Sequence, residues 1–263
     1  MYTHKFILFL LVFFCYGSLW SQDFPYELNW KKEITIIAGA GALSGLSHLR
    51  ESQLKGLSSE ELAVLNPGAV NGFDRSAIGN RSEPFRNLSD DLLKVSALTP
   101  GLLLLGKPAR SKPLTLGVMM AETFIVTEGI TKLGKVIVRR NRPLTYDADF
   151  DPGQRMSENA RQSFPSGHTS VTAGMSFFAA KVFHDLYPDS KLRPFVWAGA
   201  ALLPAATGYA RYRAGKHFPT DIIAGYALGA TIGILIPELH KPTGQRGLGI
   251  DITGNGLGLV LRW

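Results

Sequence analysis

The chain has 263 residues, 45% of them hydrophobic, enough for one domain with a full core. A formal charge of +7 and a pI near 9.5 narrow the partners to nucleic acid, an anionic membrane surface or a phosphorylated substrate. No aromatic-and-basic interleaving or recognition-helix pattern points to nucleic acid. The one cysteine, Cys15, lies in the leader-like stretch described next, so neither a disulfide framework nor a thiolate metal site is expected.

Met1 to Ser21 reads as an export signal or, if uncleaved, an N-terminal anchor. His4-Lys5 form a short polar start, Phe6 to Tyr16 are apolar, and Gly17 to Ser21 offer a cleavage zone in which Leu19 is a poor fit. Residues 22–87 form an N-terminal helical segment and polar connector. There a polar patch around Trp30-Lys31-Lys32 precedes a short Gly/Ala-rich helix over Ile34–Leu49, and Arg50–Asn87 is turn-rich with short helices. Residues 88–240 carry five helical runs: Leu88–Gly106, Leu114–Val138, Ser166–Leu186, Phe195–Tyr212 and Thr220–Leu239. In the tail, residues 241–263, apolar residues alternate around Thr253-Gly254-Asn255-Gly256, as in a small β-hairpin. The expected architecture is all-α, a bundle of about six helices associated with a membrane.

Successive antiparallel helices would bring the end of the second run, the start of the third and the span Arg211–Asp221 to one side. The other side receives Lys107, Arg110, Lys112, Lys181, Lys191, Arg193 and Lys241. The positive-inside rule makes that side cytoplasmic and turns Ser166 outward. This places the protein in the cell envelope with its site facing the periplasm. Mean hydropathy is only +0.07, Glu122, Glu128 and Lys132 interrupt the second run, and the runs are short against the roughly 20 apolar residues of a span. A soluble periplasmic protein therefore stays open as the alternative. A cleaved leader would also leave Gln22 outside and invert every later helix, so Ile34–Leu49 is expected to stop short of a span unless the leader is retained.

The centre of the chain is Phe164-Pro165-Ser166-Gly167-His168-Thr169-Ser170. Pro165 brings the backbone in extended, Ser166 is a good N-cap, and Val171, Met175 and Phe178 continue at helical spacing. Such a helix start binds anions, phosphate above all. Gly167 permits close approach of a ligand, and His168 adds a titratable imidazole. Two stretches land beside it. Lys135 and Arg142 are two helical turns apart and share a face while the helix lasts, with Pro143 unwinding its last turn; Arg139 and Arg140 read as charges complementing the helix end. In Arg211…His217-Phe218-Pro219-Thr220-Asp221, Pro219 opens the last helix, so Asp221 can accept a proton from one nitrogen of His217 and free the other as a nucleophile.

Three cations, a helix N-terminus, two histidines and a carboxylate form a full set for phosphoryl transfer without a metal. The residues resemble the type 2 phosphatidic acid phosphatase superfamily, which also takes in bacterial acid phosphatases, glucose-6-phosphatase and the vanadium haloperoxidases. Its three motifs, Lys-x6-Arg-Pro, Pro-Ser-Gly-His and Ser-Arg-x5-His-x3-Asp, appear as Lys135…Arg142-Pro143, Pro165-Ser166-Gly167-His168 and Arg211…His217…Asp221, with Ala210 in place of the usual Ser. The resemblance covers about Leu88 to Leu239. It implies that His217 attacks phosphorus to form a phosphohistidine, that Asp221 orients it, and that His168 is general acid and then base. It further implies that Lys135, Arg142, Arg211, Ser166 and Gly167 hold the phosphate oxygens, and that no metal or other cofactor takes part. The implied substrate is a phosphorylated lipid or a small phosphoester, with no nucleic acid and no obligate protein partner. The same pocket would hold vanadate, which keeps a vanadium-dependent haloperoxidase as a further alternative. Other titratable residues read as structural: His48, His184 and His240 as surface or capping residues, Glu122 and Glu128 as paired within the bundle, and Asp147, Asp149 and Asp151 as a solvated loop.

Overall fold

A computed structural model describes residues 24–242, 247–253 and 256–262; the leader Met1–Ser21 lies outside the described residues. Among the described residues, six long helices form the bundle: α1 Trp30–Glu51, α4 Glu83–Leu98, α6 Pro113–Val138, α8 Gly167–Leu186, α9 Arg193–Arg213 and α10 Pro219–Leu239. Four short ones connect them: α2 Ser59–Ala63, α3 Gly72–Arg75, α5 Lys107–Ser111 and α7 Pro152–Arg155. In the tail, β1 Gly247–Thr253 pairs antiparallel with β2 Gly256–Arg262, Gly247 opposite Arg262, which is the expected hairpin.

The run expected as one helix over Leu88–Gly106 is instead α4 followed by a 3-10 stretch, Thr99–Leu105. Pro100 has no N–H to bond the carbonyl of Ser96, and the Thr99 N–H takes that carbonyl instead. The bounds expected for the helix over Ile34–Leu49 are corrected too, while α1 is not among the described helices that are long and apolar enough to cross a membrane. Asn29 caps the Lys31 N–H, and Glu33 accepts the Asn29 N–H at 2.6 Å, so α1 starts four residues earlier and runs 22 residues. That is about 33 Å, the full height of the bundle. Glu33 sits beside His240 at the far end, while Glu51 accepts from Gln162 at the end carrying Ser166.

Helices α8 and α10 are the central pair, and they touch backbone to backbone. Gly225, Gly229 and Gly233 recur every fourth residue along α10; a Cβ there would stand 2.5 Å from Ser166 O, 2.0 Å from Ser170 O and 2.4 Å from Gly174 O. The stripe seats α10 in α8 and lets the Ser166 N–H donate to the Asp221 carbonyl at 3.0 Å. Further down, Met119, Phe178, Val182, Leu186, Ile232 and Ile236 fill the core.

The stretch Pro113–Tyr146 and helix α10 are each long and apolar enough to cross a membrane. Large apolar side chains, among them Trp30, Ile34, Leu98, Leu114, Phe195 and Ile223, face outward. At the far end Lys181 and Lys241 are not free cytoplasmic charges: Lys241 pairs with Asp185 at 3.1 Å and Glu238 at 3.0 Å, and Lys181 pairs with the same two carboxylates. Nor is His240 a surface residue: it is 2% exposed and faces Glu33 and Glu122, while Glu128 pairs separately with Lys132 at 2.9 Å.

Gly229→Val should cost about 3 kcal/mol or more, because its Cβ meets the fixed Ser170 carbonyl. Gly199→Ala, where a Cβ meets nothing within 4 Å, should be neutral or gain up to about 1 kcal/mol. Thermal melts in detergent compare them, and an unchanged melting temperature for Gly229→Val would mean that the helices do not pack this closely.

Candidate active site

At one end of the bundle, the close of α6, the starts of α8 and α10 and the close of α9 converge, with the start of α4 beside them. Lys135 projects from the last turn of α6, and its Nζ donates to Gln162 O at 2.7 Å. Here the helix stops. Arg139 takes the left-handed conformation at φ 49°, and Arg142 is extended at φ −77°, ψ 157° ahead of a 3-10 turn over Pro143–Tyr146. Lys135 and Arg142 therefore do not share a helical face as the spacing suggested, because Pro143 holds Arg142 in extended geometry. Arg142 instead enters on a loop stitched to the segment before α8, through Arg142 N–H to Ala160 O at 2.8 Å and Ser163 N–H to Arg140 O at 2.9 Å. Its Nε donates to Asn159 O at 2.8 Å and its Nη1 to Lys216 O at 3.1 Å. The same Nη1 lies 3.4 Å from His217 Nε2.

His217 is 1% exposed, and its Nδ1 lies 2.8 Å from the Ser163 carbonyl oxygen. A carbonyl only accepts, so Nδ1 carries the proton and Nε2 keeps its lone pair, aimed toward Arg142. Asp221 stands 3.8 Å from Nδ1, beyond a hydrogen bond, and does not take that proton directly as expected. Its Oδ2 accepts from Ser163 Oγ at 2.6 Å and from the Phe218 N–H at 2.9 Å, and its Oδ1 accepts from Arg140 at 2.6 Å. Asp221 thus holds Ser163, and Ser163 holds His217.

His168 opens α8. Its Nε2 is 2.8 Å from Asp90 Oδ1 on α4, and the same oxygen lies 3.8 Å from Arg211 Nη1. Arg211 also donates to Ser89 Oγ at 3.3 Å, while its buried Nε has no hydrogen-bond partner. Ser166 occupies the N-cap position, yet its hydroxyl is bonded to Thr169 Oγ1 at 2.9 Å rather than to a backbone N–H. The first intrahelical bond at this end is Ser170 N–H to Ser166 O. The N–H groups of Gly167, His168 and Thr169 precede it without intrahelical partners. A Cβ on Gly167 would sit 3.6 Å from Lys135 Cε, an ordinary van der Waals contact, so the lysine stem lies against the helix end without glycine being required there.

The electrostatics agree with the distances. Burial, then Arg142, Lys135 and Arg211 in turn, hold the His217 imidazole well below its ordinary pKa. Burial and Arg211 push His168 down to about 4 against the pull of Asp90. Lys216 is lowered to about 8 by burial and by Arg142 and Arg211. A neutral, desolvated imidazole with cations about it, at the same end of the bundle as a helix start whose first N–H groups lack intrahelical partners, suits a multiply charged anion whose central atom the imidazole attacks.

The structure brings all eight sequence-derived site residues to this end and adds others. Arg140, read from sequence as a helix-end charge, bonds Asp74 at 2.6 Å, Asp221 at 2.6 Å and Thr220 at 2.7 Å, and lies 4.3 Å over the Phe218 ring. Asp74 and Ser163 carried no sequence signal. Asp90 did carry one, since counting antiparallel helices places the start of α4 at the same end as Ser166. Among the three loop carboxylates, Asp147 and Asp149 face Arg81 at 3.5 and 3.1 Å, and Asp151 caps α7.

Arg140→Ala would leave two buried carboxylates, Asp74 and Asp221, without their cation, at a cost of about 3 kcal/mol. Arg140→Lys should recover part of this, though one ammonium cannot bond both carboxylates as the fork does. Thermal melts give the ranking; alanine melting like wild type would show that Arg140 does not anchor Asp221.

The family model described as the PAP2 superfamily matches residues 113–244. A lipid A 1-phosphatase of Rhizobium johnstonii is 30% identical over 136 residues, 49% of this chain and 52% of that protein. A lipid A 4'-phosphatase of Porphyromonas gingivalis is 24% identical over 54% of this chain and 58% of its own length. Phosphatidylglycerophosphatase B of Bacillus subtilis is 29% identical over 46% of this chain and 56% of its own. The chain thus spans about half the length of the curated relatives it matches. A crystal structure of a transmembrane PAP2 type phosphatidylglycerolphosphate phosphatase from Bacillus subtilis aligns at 22% identity and a TM-score of 0.48, over 78% of this chain and 94% of that one. With the family model spanning half of the chain and its three motifs gathered at one end of the bundle, the chain belongs to the PAP2 superfamily.

Proposed function

We propose that the protein is a metal-independent phosphatase acting on phosphate monoesters or diphosphates of lipids through a phosphohistidine, at the outward face of a membrane. The observation that carries this reading is the buried His217, its Nδ1 proton held by Ser163 and its Nε2 lone pair met only by a long contact of 3.4 Å from Arg142 Nη1, with Lys135 and Arg211 lowering its proton affinity and the Arg211 Nε–H unpaired.

In this reading Lys135, Arg142, Arg211 and the first N–H groups of α8 hold the non-bridging oxygens. The His217 Nε2 lone pair forms a bond to phosphorus as the bond to the leaving oxygen breaks in line. His168, its Nε2 side fixed by Asp90, supplies the proton to that oxygen. Arrival of the phosphate dianion offsets Arg211 and raises the proton affinity of His168, so the acid is charged when it is needed. Neutral again, His168 takes a proton from water, whose oxygen attacks phosphorus; the P–N bond breaks and phosphate leaves. The cations meet the developing charge, as Mg²⁺ does in other phosphoryl-transfer sites.

A lipid substrate is supported by the names of the relatives and by the outward apolar side chains. An apolar cavity of about 220 Å³ between α4, α8 and α9, lined by Val95, Leu102, Phe183 and Leu203 among others, supports it further. With the site outward, the chain enters α1 from the inner side.

Phosphate release should be measured on phosphatidate, phosphatidylglycerophosphate, an isoprenyl diphosphate, lipid A and a soluble nitrophenyl ester, with excess chelator at 25 °C. At least one lipid should exceed the soluble ester roughly tenfold in kcat/KM, since remote apolar contacts add transition-state binding, and chelator should leave the rate unchanged. Release from no lipid, or a rate abolished by chelator and restored by Mg²⁺, would contradict the reading.

A further inference from the structure

At the far end of α10, about 30 Å along the helix from the candidate active site, lies a second buried cluster of titratable side chains. Glu33 comes from the first turn of α1, Glu122 from the middle of α6, and His240 directly follows α10. Their side chains are 2%, 1% and 1% exposed. One ligand atom from each lies within 4.8 Å of the other two.

The imidazole is held as a ligand would be. His240 Nδ1 lies 2.8 Å from Ile236 O, an acceptor only, so Nδ1 carries the proton and Nε2 is turned toward the two carboxylates. Glu33 Oε2 stands 3.0 Å and Glu122 Oε2 3.1 Å from Nε2. A single N–H on Nε2 can be directed at one of them, and the hydrogen-bond alignment is with Glu33. Both oxygens of Glu122 are buried with no hydrogen-bond donor. Protonating His240 also leaves the cluster with a net charge of −1 away from water. A divalent cation in place of that proton balances the two carboxylates and gives Glu122 its partner. Donors on a metal with bonds of about 2.1 Å lie about 3.0–3.4 Å apart, so a small contraction or rotation of these side chains suffices.

We infer that Glu33, Glu122 and His240 form a binding site for a divalent first-row metal ion, such as Zn²⁺, that staples α1 to α6 and α10. One imidazole nitrogen and two carboxylates suit such ions better than Mg²⁺ or Ca²⁺, which take oxygen ligands. The Asn29 N–H donates to Glu33 Oε1 at 2.6 Å and orients that carboxylate from behind. A cavity of about 480 Å³, lined by Asn29, Trp30, Lys31, His240 and Lys241 among others, opens beside the imidazole and offers the ion a route in. Two nearby ammonium groups are engaged elsewhere, Lys32 on Leu239 O and Lys241 on Asp185 and Glu238. The site is remote from the phosphate chemistry, so its loss should appear in stability and leave the rate unaffected.

The test loads the chelator-stripped, detergent-solubilised full chain with Zn²⁺, removes excess by gel filtration and counts bound metal by elemental mass spectrometry. Wild type should retain about one equivalent and melt at a higher temperature with Zn²⁺ than without. The near-isosteric Glu122→Gln and His240→Gln should each retain less than about a tenth of that and show no Zn²⁺-dependent shift in melting. Phosphate release at 25 °C should be the same for stripped and loaded wild type. Should the variants fail to fold, the visible absorption of Co²⁺ in wild type, bleached by competing Zn²⁺, decides the question. Wild type that retains no Zn²⁺ and shows no Co²⁺ absorption would mean that a proton fills the cluster. Equal retention by wild type and both variants would mean that the metal binds elsewhere. Either result overturns the site.

Discussion

The hydrogen bond from His217 to the Ser163 carbonyl is the contact on which the active end depends. It spans 2.8 Å in a fully buried setting and fixes which ring nitrogen holds the proton. The lone pair can point into the site only because of it. The bond in turn needs Ser163 held still, and the chain does this three ways: through its N–H to Arg140 O, its Oγ to Asp221 and its carbonyl to the histidine. Asp221 is fixed by the Arg140 fork and by the N-terminal turn of α10, which the glycine stripe presses onto α8. Helix packing and the state of one imidazole are thereby one mechanical unit.

Charge is partitioned around that unit. Carboxylates lie behind His217, where Arg140 holds Asp74 and Asp221 together, and in front lie Lys135, Arg142 and Arg211 with few counter-charges of their own. Desolvated cations with few counter-charges are costly. In the proposed function, an incoming phosphate would supply what they lack, and the energy that would otherwise destabilise the fold would become affinity for the anion and, more so, for the transition state that carries its charge. The bundle's far end is built in the opposite way: Lys181, Lys241, Asp185 and Glu238 pair with one another, while in the Glu33, Glu122 and His240 group both oxygens of Glu122 lack a hydrogen-bond donor.

Most of the bundle was legible in sequence because long apolar runs bounded by Pro, Gly and charged connectors leave few alternatives to helices. The site residues were legible because each sits at a helix end where Pro143, Pro165 or Pro219 marks the boundary. What could not be read is what arrives from afar. Ser163 is one polar residue in a long loop, and Asp74 is one of many acids in a turn-rich segment; nothing local ties them to residues 58 and 146 positions away. Arg140 was misread for the opposite reason, since a basic residue at a helix end has a sufficient local explanation. The extent of α1 was underestimated because a capping side chain extends a helix through polar residues that hydropathy marks as its end.

The central claim, that His217 is the nucleophile and His168 the proton carrier, is tested most directly by rapid quench with a labelled ester bearing an acidic leaving group such as nitrophenol. Such a leaving group departs without a proton, whereas hydrolysis of the intermediate still needs a base. His168→Ala should therefore accumulate acid-labile, base-stable phosphate that peptide mapping places on His217, and His217→Ala should accumulate none. Label retained in His217→Ala, or mapped to any other residue, would contradict these roles.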